Sequence, residues 1–448
     1  MSSSSNTRCG SALAKTILAA SLGLPAAASA SMGNLGTSYG LFPEDLATAQ
    51  ALSMFNSQVS ATYYNPAALV KDERGELTQA ILHAEQELRA ERADADSDVM
   101  SDDPSQSVLI GMKTNVGSLL QSGHPIHLGF VAGVEKYGKE MLAFGSESSE
   151  TGQYMRYGRE PLFLSLGAGT RIWRGISAGA ASRITLDAAA SLNATSTLGG
   201  ETEQEELTVE AEPNIRSIVG LTLNWEDTFC PDNGCFLSGF ESALSFRNSS
   251  ASSTSVQSNI IVKQTIPDPG LSLGVSTIDS YQPEIYAFGT QYKGDGWRAG
   301  FTVEQRNWSG LEDELESDTI KDQQDASGST PLTAEFQDTV VPRIGGEMDL
   351  FGHFSLLGGL AYEESPLEST RTPKLNYIDN DRIIAGLGLS GTYKRTRFFR
   401  YPVRFDIGYQ YQQLQERDFT IEDGNGNTQP VTADGDIHVV SGSITLKF

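Results

Sequence analysis

The residues of this chain that could do chemistry are few, and they form no catalytic motif. Five histidines are present, none of them beside a recognisable nucleophile: His83, His124, His127, His353 and His438. A Ser–His hydrolase needs a nucleophile within hydrogen-bond reach of a positioned base. The sequence therefore predicts that the protein is not an enzyme.

Two other groups could form a covalent link or hold a metal. Cys230 and Cys235 flank a turn-rich spacer, and such a pair in an oxidising compartment forms a small loop disulfide. A metal site there would need more ligands nearby. The acidic runs at residues 201–212 and 312–325 lack the ligand spacing and glycine of a calcium loop. We predict that these runs are solvated loops, and that the protein has no metal and no cofactor.

The first thirty residues read as a signal peptide. Arg8 and Lys15 precede an apolar run over residues 16–24, and the small residues 28–30 suit cleavage. The chain of 448 residues carries a net charge of −25. Such acidity argues against a nucleic-acid partner, because phosphate binding depends on Lys and Arg. We expect an exported protein.

Alternating apolar and polar residues run through the remaining sequence. In residues 297–307 and 403–412 the apolar side chains share one parity, and the charged ones share the other. Nothing after the leader has the roughly 18 to 20 unbroken apolar residues of a membrane helix, whereas many segments have the roughly 9 to 11 of a tilted membrane strand. Short turns alternate with long polar stretches. This predicts an all-β fold, a membrane-spanning antiparallel β-barrel of about 14 strands.

The carboxyl terminus indicates where the barrel is inserted. Apolar residues occupy alternate positions from Val440 to the terminal Phe448. This ending is similar to the signature that barrel-assembly machinery reads in outer-membrane proteins. We expect the outer membrane of a Gram-negative bacterium, with that machinery as a partner during insertion and with lipid and lipopolysaccharide around the wall.

A segment of different composition precedes the strands. Residues 31–69 are rich in Gly, Ala, Ser and aromatic residues, and they end in Tyr-Tyr-Asn-Pro-Ala-Ala-Leu. The segment resembles the amino-terminal hatch of the FadL/TodX family, although Ala68 stands where the family has Gly. Residues 342–347, 357–367 and 380–388 resemble the family's last strands. The resemblance implies a signal peptide over residues 1–30, a hatch inside the barrel over 31–69, and a barrel over 70–448.

The resemblance also implies a function. Members passively carry hydrophobic small molecules, such as long-chain fatty acids or hydrocarbons, with hatch-gated lateral release. Asn65, Pro66 and Ala67 would form the hatch motif, since Pro66 keeps its predecessor out of the helical region. The candidate ligand-binding residues are Phe42, Met54, Phe55 and Tyr64 as an apolar lining, and Arg343 for a carboxylate head group. Hatch-to-wall packing and a structural arginine are the respective alternatives.

Other classes of protein stay open. A nonspecific porin has the same strand pattern, and planar-bilayer conductance would identify it. A phospholipase barrel would show lipase activity, and a secreted β-sandwich would need no aromatic terminus. Residues 76–92 are ambiguous, because Leu77, Ile81, Ala84 and Leu88 have helical spacing.

Overall fold

The wall of the molecule is a closed β-barrel. The structure, a computed structural model, describes residues 28–29, 35–92, 104–117, 124–136, 140–146, 153–157, 162–196, 202–230, 235–262, 266–315, 335–368, 377–394, 400–422 and 428–448. We label the wall strands β1 (Glu76–Arg92), β2 (Ser105–Asn115), β3 (Ile126–Lys136), β4 (Leu162–Trp173), β5 (Ile176–Ser196), β6 (Thr202–Asn224), β7 (Phe240–Arg247), β8 (Glu284–Gly294), β9 (Trp297–Asn307), β10 (Thr339–Leu350), β11 (Phe354–Glu363), β12 (Arg382–Tyr393), β13 (Val403–Glu422) and β14 (Thr428–Lys447).

Each wall strand pairs with the next one antiparallel, and β14 closes on β1. The predicted all-β barrel of about 14 strands is confirmed as a closed barrel of 14. The ambiguous residues 76–92 are a strand, since β2 and β14 both supply backbone partners. Within β1 the alternate residues Ala80, Leu82 and Ala84 are buried.

The outer face of the wall is apolar. In β2, Val108, Ile110 and Met112 point outward and are exposed, whereas Ser107 and Leu109 between them are buried. Aromatic rings gather on this outer face where the strands join through tight turns at residues 174–175 and 295–296, which we call the short-turn end. The ring pairs are Phe240–Tyr292, Tyr292–Trp297, Phe354–Tyr393, Tyr393–Phe405 and Tyr401–Phe448. An apolar band bordered by aromatic rings is typical of a lipid-facing barrel.

Smaller elements lie between the wall strands. They are the strands Glu140–Ser146, Gln153–Tyr157, Ser250–Val262 and Ile266–Gln282, the parallel pair Ala28–Ser29 with Tyr377–Ile378, and the helices α4 (Trp225–Phe229) and α5 (Gly310–Leu315). None of the helices in the described ranges has the length and apolar content of a membrane span. Residues 28–29 fall inside the predicted signal peptide, whose removal stays a prediction.

Residues 35–71, which we call the inner segment, lie inside the barrel. They form α1 (Leu35–Ser38), α2 (Pro43–Ala47), the 3-10 turn Ser53–Phe55, α3 (Ala61–Tyr64) and the 3-10 helix Pro66–Lys71. From residue 37 to residue 70, every residue except Ser57 is buried. These short helices lack the length to be stable alone, so contacts with the wall must hold them.

Candidate functional site

Inward-facing glycines of the wall form the seat of the inner segment. A Cβ added at any of them would lie 2.0 to 3.1 Å from an inner-segment atom. They are Gly111, Gly129, Gly167, Gly169, Gly179, Gly220, Gly289, Gly300, Gly345, Gly359, Gly386, Gly388 and Gly408, on β2 to β6 and β8 to β13. Glycine within a strand permits this close backbone approach. We call this set the glycine seat.

The inner segment makes a circuit of the seat. Pro43 contacts β13, Thr48 contacts β11, Leu52 contacts β9 and Asn65 contacts β6. On β7 the seat is completed by Ser245, whose hydroxyl donates to the Tyr64 carbonyl at 2.6 Å. Contacts with strands on opposite sides of the barrel place the segment across the lumen.

Strand register brings the seat glycines side by side. Gly300, Gly345, Gly359 and Gly386 are successive cross-strand partners, and Gly179 pairs with Gly220. Partners in an antiparallel sheet share a face, so these inward glycines form stretches of wall without side chains. The sequence contained this signal as glycines of inward parity in neighbouring strands, and sequence reasoning missed it.

Asn65 links the predicted hatch motif to the wall. Its Oδ1 accepts from the Ala67 amide at 3.2 Å, which caps the 3-10 helix beginning at Pro66. Its Nδ2 donates at 3.0 Å to the Met54 carbonyl and at 3.0 Å to the Thr222 hydroxyl on β6. The side chain is fully buried, so each of these bonds replaces one that water would otherwise supply.

The four apolar residues proposed as a ligand lining lie in two separate clusters. Phe42 and Tyr64 belong to one cluster, which includes wall residues of β1 to β6. Met54 and Phe55 pack against Ala243 of β7 and Ala287 of β8. The structure thus places them in hatch-to-wall packing, the alternative raised by the sequence, and does not bring the four together around one cavity.

Arg343 lies in a buried charge network next to the glycine seat, on the side away from the short-turn end. Its Nη1 donates to the carbonyl of Ala49 at 2.9 Å, and its Nη2 lies 3.5 Å from Glu304. Glu304 also pairs with Arg247 and with Arg306. Ala49 has a positive φ of 47°, a strained backbone conformation for a residue with a Cβ. Arg343 therefore holds the inner segment in an unfavourable turn, which fits the structural alternative.

Ion pairs tie the inner segment to the wall at the short-turn end. Glu44 pairs with Arg404 of β13, Lys71 pairs with Glu241 of β7, and Lys447 lies 3.1 Å from Asp72. Burial lowers the pKa of Lys71 to about 8, against the opposing effect of Glu241. These ion pairs resist displacement of the segment from the wall.

Asp45 is a buried acid within the inner segment. Its carboxylate accepts from Ser53 Oγ at 2.7 Å, Asn56 Nδ2 at 3.2 Å and the Phe42 amide at 3.2 Å. Burial nevertheless raises its pKa to about 6, above the ordinary 3.8. The seated segment therefore favours the protonated acid, which makes seating depend on pH.

An apolar strip rises from the seat along one side of the lumen. It consists of inward residues of β1, β13 and β14 that pack with Tyr39 and Leu46 of the inner segment: Leu82, Ala84, Leu88, Leu414, Ile437 and Val439. All of them are buried. We call this set the lumen strip. Its side chains are wholly apolar, and Tyr39 and Leu46 cover part of it.

The remaining sequence predictions fall on the loops. Cys230 and Cys235 are joined by a disulfide. Among the residues that the structure describes, no group of His, Cys, Asp and Glu is arranged to hold a metal. Most of the acidic run 312–325 lies outside the described residues. The prediction of a loop at the run 201–212 is wrong, because residues 202–212 extend β6 and pair with β5. Arg382, within the family-like residues 380–388, pairs with Asp379 at 2.6 Å.

Fold and seat together define a class, a FadL/TodX-type barrel with an amino-terminal segment across its lumen. A FadL homologue of Pseudomonas aeruginosa superposes with a TM-score of 0.61 at 12% identity, over 94% of this chain and 99% of that one. The toluene transporter TodX of P. putida gives 0.53 at 10% identity, over 92% and 99%. At such identities the likeness shows the fold alone.

A much closer relative is found by sequence. The chain is 63% identical over 436 residues to alkane uptake protein A of Marinobacter nauticus, covering 97% of this chain and 96% of that protein. No family model matches the sequence. The chain belongs to the family of alkane uptake protein A and has the fold of the FadL and TodX structures, so the resemblance predicted from the sequence is confirmed.

Proposed function

We propose that the protein passes aliphatic hydrocarbons, n-alkanes above all, through the outer membrane of a Gram-negative bacterium. The observation that carries this proposal is the 63% identity to a protein named for alkane uptake. The lumen strip supports it, because an alkane has no polar group and each methylene taken out of water is stabilised by about 0.8 kcal/mol.

The proposed path begins at the end of the barrel opposite the short-turn end. An alkane would leave the polar lipopolysaccharide layer, follow the lumen strip down to the inner segment and wait above the glycine seat. When the inner segment leaves its seat, the substrate would pass and exit sideways through the wall into the lipid. The concentration gradient is the driving force. The inner segment is then a hatch, and lipopolysaccharide, lipid and the barrel-assembly machinery are partners in the same proposal.

Uptake by cells tests this function. A strain lacking the gene should take up labelled hexadecane slowly, and the wild-type chain should restore the rate. Replacement of Leu88 or Ile437 of the lumen strip by Asn should lower the rate by roughly tenfold, since an unpaired buried amide costs about 1 to 3 kcal/mol. Glu87→Asn, on the outer face of the same strand, is the matched control. Equal uptake with and without the chain would refute the proposal.

Labelled palmitate and toluene, measured in the same cells, separate the substrate classes. We expect hexadecane to depend most strongly on the chain. Arg343 would position the hatch and would not contact the substrate, so Arg343→Gln should change uptake of hexadecane and palmitate by the same factor. If the variant loses uptake of palmitate alone, Arg343 binds the carboxylate head group of the substrate. A nonspecific porin would instead give large, stable conductance in planar bilayers.

A further inference from the structure

The connection between β6 and β7 at the short-turn end differs from its neighbours. Tight turns at residues 174–175, 295–296 and 351–353 join other strands at this end. The β6–β7 connection is longer and holds α4 and a disulfide. It also exposes two large rings, Phe229 at 59% and Phe236 at 87%. A single exposed ring is ordinary, as Phe351 at 94% in the neighbouring connection shows, but apolar side chains grouped into a patch mark an interaction or membrane site.

Helix α4 lies on the outer face of the barrel. Trp225 donates its indole N–H to the hydroxyl of Ser242 at 3.0 Å. Ser242 stands between Phe240 and Leu244 on β7, and both of these point outward and are exposed. The Trp225 ring therefore covers the lipid-facing side of β7, and Phe229 packs against it with a centroid distance of 5.6 Å.

Several bonds hold the connection in this position. Asn224 caps α4 by accepting from the Asp227 amide at 3.1 Å, and Ser238 donates to Glu226 at 2.6 Å. The Cys230–Cys235 disulfide closes the turn that follows. A segment fixed at this many points cannot fold its rings back onto the protein at low cost.

The aromatic border of the wall continues directly into this segment. Phe240, at the start of β7, contacts Tyr292, which contacts Trp297. On the other flank, Arg174 lies over the ring of Trp173 and reaches the Thr228 carbonyl. Aromatic side chains in such a row sit at the boundary between headgroups and acyl chains.

We propose that residues 225–230 and 235–238 form an interfacial foot, which binds the phospholipid leaflet at the short-turn end through Trp225, Phe229 and Phe236. The foot would lie flat in the headgroup boundary and fix the depth and tilt of the barrel beside β6 and β7. This inference rests on the proposed membrane location of the wall. It assigns a lipid partner to a connection that the transport path does not use.

Tryptophan fluorescence tests the foot in phospholipid vesicles. Phe236→Trp adds an indole at an exposed position, and the emission it adds to the wild-type signal is the readout. We expect that added emission to shift to shorter wavelength, to be lost with bromine-labelled phospholipid, and to survive aqueous iodide. Glu73→Trp, at the mouth beneath the inner segment, is the control that iodide should quench.

The wild-type tryptophans separate this inference from the proposed location of the wall. Trp173 and Trp297 stand in the aromatic border, so their quenching by brominated lipid, measured in a Trp225→Phe variant that removes the indole of the foot, reports whether the wall is in the membrane. If they are quenched while iodide alone quenches the indole added at position 236, the foot faces water and the inference is wrong. Protection from both quenchers would mean that the ring is covered by protein, which would also overturn it.

Discussion

Removing the side chain of Asn65 should unseat the hatch without unfolding the barrel. Asn65→Ala deletes three buried hydrogen bonds, to the Ala67 amide, the Met54 carbonyl and the Thr222 hydroxyl. At about 1 kcal/mol net for each bond, the seated state loses about 3 kcal/mol. Because about 1.4 kcal/mol is a factor of ten, the ratio of unseated to seated hatch should rise roughly 100-fold.

Single-channel conductance in planar bilayers measures that ratio as open probability. Asn307→Ala is the matched control, since Asn307 ends β9 and bonds Glu284 of the neighbouring strand, away from the inner segment. We expect rare openings for the wild type and the control, and frequent openings for Asn65→Ala. If Asn65→Ala conducts like the control while running as a folded barrel on an unheated gel, Asn65 does not hold the hatch.

Two further predictions concern the seat and the buried acid. Gly359→Val should raise open probability, because its Cβ would lie 2.1 Å from an inner-segment carbonyl, whereas Gly358→Val, one residue away on the outer face, should not. If both variants change the open probability equally, the glycine seat does not hold the inner segment. Asp45 has a raised pKa of about 6, so its contribution to seating is present below 3.8 and lost as pH rises through 6. Hydrogen exchange of residues 35–71 should therefore be slower at about pH 5 than at about pH 7 after correction for intrinsic rates, and Asp45→Asn should flatten that difference.

The barrel wall could be predicted from the sequence because its signal is local. Period-two alternation in segments such as residues 297–307 records which side chains meet lipid and which meet the lumen. Residues 76–92 showed the limit of this rule. Leu77, Ile81, Ala84 and Leu88 fit a helical period, yet the first two lie on the outer face and the last two on the lumen face. The backbone pairing with β2 and β14 shows that the segment is a strand.

The candidate site was less accessible to sequence reasoning. The motif at Asn65 was visible, but its bond to Thr222 joins residues far apart in the chain. Which glycines form the seat depends on cross-strand register, as for Gly300 and Gly345. Arg343 could be identified as a buried arginine of the lumen, yet its bond to a strained turn at Ala49 required the fold.

A removable tether between hatch and wall tests the proposed gating most directly. A Cβ at Gly345 lies 3.0 Å from the Cβ of Ala51, and a small outward shift gives the roughly 3.5 to 4.5 Å of a disulfide. Cells carrying Ala51→Cys with Gly345→Cys should lose hexadecane uptake when oxidised and regain it on reduction. The wild type, treated in the same way, controls for the native Cys230–Cys235 bond. Undiminished uptake with the tether shown to be closed would contradict the claim that the hatch must leave its seat for the substrate to pass.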